Sequence, residues 1–359
     1  MRKKVLLSIG AIILTVFICV TGFIEYYYNR MNIKKVSENT GDPVKEEISD
    51  LLGNSHKDKD IVSKLDKTIE NLKADKTEIP FNDDVFNILL IGNDSRNETS
   101  DQGRSDSMIL VSINRKLKSV HLTSFMRDIY IKIPGYGNNR LNAAYAYGGE
   151  NLLKETLKES FKIHIDRYVK VGFEAFEDII DFCGGIDNIP LTEKEIEVMN
   201  TYIQEINALN EDNLENGKIK KLKEGGLYSL SGKQALAYAR VRYVVNGNER
   251  DDFGRTARQR TILLALTEKA KNLNVFELNK LMKKILPQIT TDLKKGELIS
   301  LLLDYMDYKK YETISQRIPV DGSYEALKIG GKAVIGVNFE ANIRFLHTTI
   351  YGNNNKEQE

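Results

Sequence analysis

Cysteine and histidine are scarce in this chain of 359 residues, and common enzyme signatures are missing from it. Cys19 and Cys183 are its two cysteines, so a domain that contains only Cys183 has no internal disulfide and must rely on its hydrophobic core. The four histidines are too scattered for a zinc site. No G-x-S-x-G motif occurs, and residues 226–234 fail as a P-loop in both glycine spacing and final residue. The formal net charge of +1 argues against nucleic acid as a partner.

The longest apolar run lies at the N-terminus. Residues 5–24 carry no charge, and a helix of this length spans about 30 Å, the thickness of a bilayer's hydrocarbon core. Arg2, Lys3 and Lys4 precede the run and tyrosines 26–28 follow it, which is typical of a span with a cytoplasmic N-terminus. A cleaved signal peptide is the alternative, but it needs a shorter apolar region and a small-x-small cleavage site. We therefore predict a single-pass anchor in the cell membrane, with residues 1–4 cytoplasmic and the main domain outside the cytoplasm.

The next segment, residues 25–84, is rich in Lys, Glu, Asp and Asn. Val62, Leu65, Ile69 and Leu72 fall at 3-4-3 spacing, which predicts a short amphipathic helix. We interpret the segment as an extracytoplasmic stalk that is partly helical. A disordered linker is the alternative, because the segment is so highly charged.

Residues 85–352 are predicted to form one domain, followed by a polar tail at 353–359. Continuous or alternating apolar stretches predict strands at 85–91, 108–113, 120–125, 129–133 and 168–171. Apolar residues at helical spacing predict helices at 173–182, 193–209, 234–239, 255–273, 275–286, 297–308 and 340–350. Strands inside and amphipathic helices outside indicate an α/β fold with a central mixed β-sheet flanked by α-helices.

Arginine is unevenly placed. The chain has 36 Lys and 16 Arg, yet six arginines lie between residues 240 and 260: Arg240, Arg242, Arg250, Arg255, Arg258 and Arg260. The planar guanidinium binds phosphate and carboxylate by paired hydrogen bonds, so this cluster is a candidate phosphate site. On the predicted helix, Arg255, Arg258 and Gln259 share one face, and Asp252 precedes it as a possible cap. A solvated basic surface is the alternative.

Aspartates and further arginines follow the predicted strands. Asp94 comes just after the first strand, Arg104 and Asp106 lead into the second, and Arg127 follows the third. Residues beyond strand ends build the sites of open α/β sheets. Two carboxylates at neighbouring strand ends are suited to one Mg²⁺ ion, which commonly combines such ligands with substrate phosphates. For each aspartate alone, a turn or cap role is the ordinary alternative.

Six segments in order resemble the LytR-CpsA-Psr family over about residues 86–351: NILLIGNDSR, RSDSMILVSI, TSFMRDIYI, LNAAYAYGG, LSGKQALAYARVR and DDFGRTARQR. The N-terminal anchor also matches the family's architecture. Two departures are Met126, where the family usually has Pro, and a longer link between Arg242 and Asp252. Neither departure removes a charged group that the family's chemistry needs.

The resemblance implies a phosphotransferase that moves an anionic glycan polymer, such as teichoic acid or capsule, from a polyprenyl-pyrophosphate carrier to peptidoglycan. By the same resemblance, Asp94 and Asp106 match magnesium ligands, and Arg104 matches an arginine implicated in catalysis. The pyrophosphate-binding residues of the family are matched by Arg127, Arg240, Arg242, Arg255 and Gln259. A non-catalytic binder of polyprenyl pyrophosphate that regulates the envelope, and a hydrolase of that lipid, are the two alternatives.

Overall fold

The structure is a computed structural model, and it describes residues 32–33, 56–74, 78–93, 105–209, 213–219, 226–242, 244 and 251–352. The predicted anchor at residues 5–24 lies outside the described residues, as do Asp94 and Arg104. Within the described ranges, no helix is both long and apolar enough to cross a bilayer. The anchor therefore stays a prediction.

A seven-stranded mixed sheet forms the centre of the domain, with strand order β1-β10-β7-β2-β3-β4-β11. Three two-stranded sheets accompany it, formed by β5 with β6, β8 with β9, and β12 with β13. The strands are β1 (Asn32–Ile33), β2 (Val85–Asn93), β3 (Ser105–Asn114), β4 (Ser119–Phe125), β5 (Tyr130–Ile133), β6 (Gly137–Arg140), β7 (Arg167–Val171), β8 (Ile186–Leu191), β9 (Gly226–Leu230), β10 (Ile289–Thr291), β11 (Glu312–Ile318), β12 (Tyr324–Ile329) and β13 (Lys332–Val337).

Strand direction brings several chain ends to one edge of the sheet. β7 and β11 run parallel to β2 and β4 respectively, whereas β3 is antiparallel to both β2 and β4. β10 is antiparallel to β7, and β1 is parallel to β10. One side of the sheet, perpendicular to the strands, therefore contains the C-terminal ends of β2, β4, β7 and β11. The N-terminal ends of β1, β3 and β10 lie on the same side, which we call the carboxyl edge.

Helices cover both faces of the sheet. They are α1 (His56–Ala74), α2 (Leu141–Phe161), α3 (Phe173–Phe182), α4 (Glu193–Leu209), α5 (Gly232–Arg240), α6 (Asp251–Lys271), α7 (Val275–Ile285), α8 (Lys295–Leu303), α9 (Tyr305–Tyr308) and α10 (Phe339–Leu346). On one face, Leu89 and Ile91 of β2 pack in a core with residues of α2 and α10. Ile88, which points to the opposite face because side chains alternate along a strand, is also buried. The predicted α/β class with a central mixed sheet is confirmed.

Helix α1 packs against the domain. Its apolar stripe buries Leu65 and Ile69, as their spacing predicts, and Lys64 pairs with Glu325 of β12 at 2.9 Å. Asp66 accepts hydrogen bonds from Tyr130 and Asn138. This part of the predicted stalk is thus fixed to the β5–β6 and β12–β13 hairpins.

Two predicted helix boundaries are wrong. The helix expected at 255–273 begins at Asp251, which places Asp252 inside its first turn. The helix expected at 297–308 is two helices, α8 and α9, which meet at Asp304.

Candidate functional site

Arginines from three parts of the chain meet near the carboxyl edge. Arg127 follows β4, Arg242 follows α5 by two residues, and Arg255 lies in the first turns of α6. The turn that carries Arg127 is tied to β11, because the N–H of Met126 donates to the carbonyl of Ile318 at 3.0 Å. Proline, which the resembled family usually has at this position, lacks that N–H. Methionine therefore adds a backbone hydrogen bond next to the site.

Asp252 is the centre of this cluster. Arg127 Nε donates to its Oδ2 at 2.8 Å, and Oδ1 lies 3.4 Å from Arg255 Nη2 and 3.9 Å from Arg242 Nε. The predicted role of Asp252 as the cap is wrong, because α6 begins one residue earlier, at Asp251. Its carboxylate instead contacts the three arginines that follow β4, follow α5 and lie in α6. Each guanidinium has five N–H donors in a planar fork, the geometry that suits carboxylate and phosphate oxygens.

Asp128 is a second buried carboxyl beside the first. Its Oδ1 lies 3.2 Å from Arg140 Nη1, and its Oδ2 lies 3.7 Å from Arg127 Nε. Burial, with the hydrogen bond to Asp252, raises the pKa of Asp128 to about 6. Burial opposes the ionisation of Asp252, but Arg255, the hydrogen bond from Asp128 and Arg127 outweigh it, so the pKa of Asp252 is lowered. Just below pH 6 the pair thus holds one proton, on Asp128.

The cluster opens into a cavity of about 830 Å³ that four arginines line: Arg127, Arg140, Arg242 and Arg317. Phe253 and Tyr324 stack in its wall with ring centroids 5.1 Å apart, and Arg317 lies over Phe253. A slightly larger cavity of about 930 Å³ lies between α1 and the β12–β13 hairpin. The described residues that line the larger cavity include no arginine, so the arginine-lined cavity is the better candidate for binding phosphate.

Arg240 is not among the residues that line the cavity. Its guanidinium sits over the ring of Tyr202 at 4.9 Å and near that of Phe173 at 5.9 Å. Its Nη1 is buried and has no hydrogen-bond partner among the described residues. The Arg240 guanidinium thus packs on aromatic rings of α3 and α4.

Arg258 has a structural role. It is fully buried, its Nε donates to Glu195 at 2.8 Å, and its Nη groups donate to the carbonyls of Val241 and Val244. These bonds fix the segment that carries Arg242. The predicted common face of Arg255, Arg258 and Gln259 is therefore not one binding face. Gln259 is half-buried in α6, outside the cavity lining.

The predicted magnesium site is at the carboxyl edge of β2 and β3. In the sheet, β3 is the neighbour of β4, the strand that leads to Arg127 and the cavity. β2 and β3 are antiparallel neighbours, and Asn93 pairs with Ser105, so the chain positions next to Asp94 and Asp106 meet. Asp94, Arg104 and the side chain of Asp106 lie outside the part of the chain that the structure describes. Elsewhere in the described chain, no group of three or more His, Cys, Asp or Glu side chains is arranged to hold a metal. The ligand pair stays a prediction that the strand pairing is consistent with.

The partners of the predicted arginines are not evident from the sequence. Arg140 lies close to Asp128 because Arg140 pairs with Tyr130 across the β5–β6 hairpin. The sequence of β6, Gly-Asn-Asn-Arg, does not predict a strand. Arg317 and Tyr324 lie some 190 residues beyond Arg127 along the chain, and local patterns do not report such contacts.

A sequence model of the LytR_cpsA_psr family matches residues 52–338. The polyisoprenyl-teichoic acid–peptidoglycan teichoic acid transferase TagU of Bacillus subtilis is 30% identical over 259 residues, which cover 71% of this chain and 76% of that protein. A solved structure of TagT bound to LIIa-WTA aligns with a TM-score of 0.55 at 26% identity and covers 76% of this chain and 92% of that one. TagT with bound octaprenyl pyrophosphate lipid aligns with a TM-score of 0.52 at 25% identity, covering 77% and 95%.

Proposed function

This chain belongs to the LytR-CpsA-Psr family, and from that premise we propose that it transfers an anionic glycan polymer from a polyprenyl-pyrophosphate carrier to peptidoglycan. The observation that carries the proposal is the cavity lined by Arg127, Arg140, Arg242 and Arg317. A pyrophosphate diester carries two negative charges on oxygens that paired guanidinium donors fit. The relatives named above as teichoic acid transferases supply the class of donor and acceptor.

Asp252 prepares the cavity for this ligand. Three guanidinium groups lie within 3.9 Å of its carboxylate, and these contacts restrict their orientation. Binding then needs little reordering of long side chains, which lowers the entropic cost of capturing the pyrophosphate. The raised pKa of Asp128 means that this carboxyl takes up a proton at a higher pH than a free aspartate does, and protonation reduces the negative charge that would compete with phosphate.

Asp94 and Asp106 are the proposed magnesium ligands, and Mg²⁺ bound there would supply positive charge to the phosphate oxygens. Arg104 is proposed to act on the charge that develops in the transition state. Asp94 directly follows β2, Arg104 directly precedes β3, and Asp106 is the second residue of β3. β3 lies between β2 and β4 in the sheet, and β4 ends two residues before Arg127.

The proposed reaction is a direct phosphoryl transfer. A muramyl hydroxyl of peptidoglycan attacks the phosphorus that bears the glycan, and the new P–O bond forms as the bond to polyprenyl monophosphate breaks. The hydroxyl proton passes to a carboxylate at the carboxyl edge, with Asp94 and Asp106 as the candidates. Positioning and neutralisation of charge are the main demands of such a step, and the arginine-lined cavity meets both.

We also propose that residues 5–24 anchor the chain in the membrane, with the N-terminus in the cytoplasm and the domain on the outer side. The support is the uncharged run itself and the basic residues before it. An anchor of this kind keeps the domain near a substrate that is itself held in the bilayer.

The test is product analysis with the full-length protein in vesicles, supplied with magnesium, a lipid-linked glycan and peptidoglycan oligomers. We expect mass spectrometry to detect glycan joined to peptidoglycan by a phosphodiester, together with polyprenyl monophosphate. Free glycan phosphate with nothing attached to peptidoglycan would identify a hydrolase. Tight binding of the lipid without turnover of several glycan donors would identify a regulatory binder.

A further inference from the structure

The larger of the two cavities has a polar lining that differs from that of the arginine-lined cavity. It measures about 930 Å³ and lies between α1, the β12–β13 hairpin and the first residues of α10. Hydroxyl, amide and carboxyl groups line it. Among the described residues of this lining, Lys64 is the one basic side chain, and it is paired with Glu325 at 2.9 Å. Without arginine, the cavity suits a polar ligand that carries no phosphate.

Two amide side chains on different walls of this cavity can bind such a ligand. Asn71 lies on the α1 face that also carries Lys64 and Thr68, since steps of four and three residues stay on one side of a helix. Asn338 precedes α10, and its Oδ1 accepts a hydrogen bond from the N–H of Ala341 at 3.1 Å. No hydrogen bond joins the amide nitrogen of Asn71 or Asn338 to another described residue. Amide N–H₂ groups and carboxylates are suitable partners for the hydroxyl and N-acetyl groups of sugars.

Tyr324 connects this cavity to the arginine-lined one, because it lines both. Its ring stacks on Phe253 with centroids 5.1 Å apart, and Arg317 lies over both rings. Phe253 directly follows Asp252, the carboxylate that the cluster of arginines shares. The two cavities therefore adjoin at one side chain.

Transfer between two substrates requires adjoining sites. The attacking oxygen of the acceptor must come within about 3–3.5 Å of the phosphorus. A site for the acceptor must therefore open next to the cavity that holds the pyrophosphate, and the larger cavity does so at Tyr324. Its volume falls within the range of about 300–1,000 Å³ that is usual for small-molecule sites.

We propose that the cavity between α1 and the β12–β13 hairpin binds the acceptor, through the N-acetylated sugars of peptidoglycan. The proposal rests on the proposed transferase function. The anionic glycan of the donor is a poorer fit, because Glu325 and Glu340 add negative charge and no arginine of the described chain lines the cavity. Helix α1 thus forms one wall of the acceptor site.

Protection from alkylation tests the site without any turnover. Asn71→Cys places a thiol in the lining, and Glu70→Cys, equally exposed on α1 but outside the lining, is the matched control. Both full-length variants also carry Cys19→Ala and Cys183→Ala. Soluble peptidoglycan oligomers should slow the reaction of position 71 with a maleimide several-fold and leave position 70 unchanged, whereas teichoic acid should protect neither. No protection at position 71, or protection by the anionic polymer instead, overturns the inference.

A bulky side chain in the cavity tests its part in the reaction. Asn71→Trp fills space in the cavity, whereas Glu70→Trp adds the same ring to α1 outside the lining. The first variant should raise the KM for peptidoglycan oligomers about tenfold at unchanged kcat, and its affinity for the lipid-linked donor should be normal. Equal KM values in the two variants, or weaker donor binding in the first, contradict an acceptor site. Protection of position 71 by oligomers in a protein that transfers no glycan would overturn the proposed function and leave the site standing.

Discussion

Arg242 is the cavity arginine for which the difference between Arg and Lys is easiest to measure. It lines the cavity, its side chain is about one-third exposed, and its contact with Asp252 is a long 3.9 Å. Arg242→Lys keeps the charge but loses the paired geometry, and we expect about tenfold weaker binding of polyprenyl pyrophosphate. Arg344→Lys, at an exposed pair on α10, is the matched control and should bind normally. Calorimetric titration of both variants gives the comparison, and equal affinities would contradict the assignment.

Asp128 makes the stability of the domain depend on pH in a definite direction. Its pKa is about 6 in the folded protein and about 4 in an unfolded chain. Between these values the unfolded chain has released the proton while the folded protein still holds it. This contribution to stability is therefore complete below about pH 4 and is lost as the pH rises through 6.

Asp128→Asn provides the test, because asparagine mimics the protonated carboxyl at every pH. The free energy of unfolding of the wild type, minus that of the variant, should fall by on the order of 2 kcal/mol between pH 4 and 6. Urea denaturation at several pH values measures it. A difference that stays constant across this range would show that Asp128 ionises normally.

A buried ion pair joins α6 to α4, and its two residues can be replaced one at a time. Arg258 is fully buried against Glu195 of α4, so Arg258→Met leaves a buried carboxylate unpaired and should cost about 3–5 kcal/mol. Adding Glu195→Gln removes that charge and should restore part of the loss. Asp307→Asn, at an exposed pair on α9, should change stability by less than about 1 kcal/mol. Strict additivity of the two changes at 195 and 258 would argue against coupling.

The contact of α1 with the domain depends on a glycine in β13. A Cβ added to Gly336 would overlap the side chain of Leu65, so Gly336→Ala should destabilise the domain by about 1–3 kcal/mol and increase hydrogen exchange in α1. Gly296→Ala in α8 meets open space and is the control, with an expected change of less than 1 kcal/mol in the stabilising direction. If the two variants were equally stable, α1 would not be packed as described.

Amphipathic elements were predictable from the sequence, and elements defined by distant partners were not. Helices α3 and α4 agree with their predicted bounds, since each has one apolar face and, for α3, glycines that follow it. Strands β1 and β10 have two and three residues, which are too few to show any periodicity in the sequence. They are defined by their partners, since β10 pairs with β7 and β1 pairs with β10. In the site, local clustering identified Arg242 and Arg255. The role of Asp252 depends on a contact with Arg127, 125 residues away.

At the scale of the whole molecule, the proposed topology predicts the location of the C-terminus. The described part of the domain ends at Gly352, seven residues before Glu359. If the domain is outside the cytoplasm, a protein fused after Glu359 should be outside the cytoplasm too. An alkaline phosphatase fusion, which is active only after export, should be active there, and a cytoplasmic reporter should be inactive. The reverse pattern would overturn the orientation of the anchor, which is motivated by Arg2, Lys3 and Lys4.

The last strand to join the central sheet sets the time at which the domain can fold. β11 pairs along its full length with β4, a strand made 193 residues earlier, and Tyr351 then bonds to Asn87 in β2. The sheet is thus incomplete until almost the whole chain has been synthesised, and contacts of such long range form slowly. If the domain is exported as proposed, this delay has a benefit, because a chain that has not yet folded can pass through a narrow channel. Under that topology, the late synthesis of β11 would postpone folding until most of the domain had crossed the membrane.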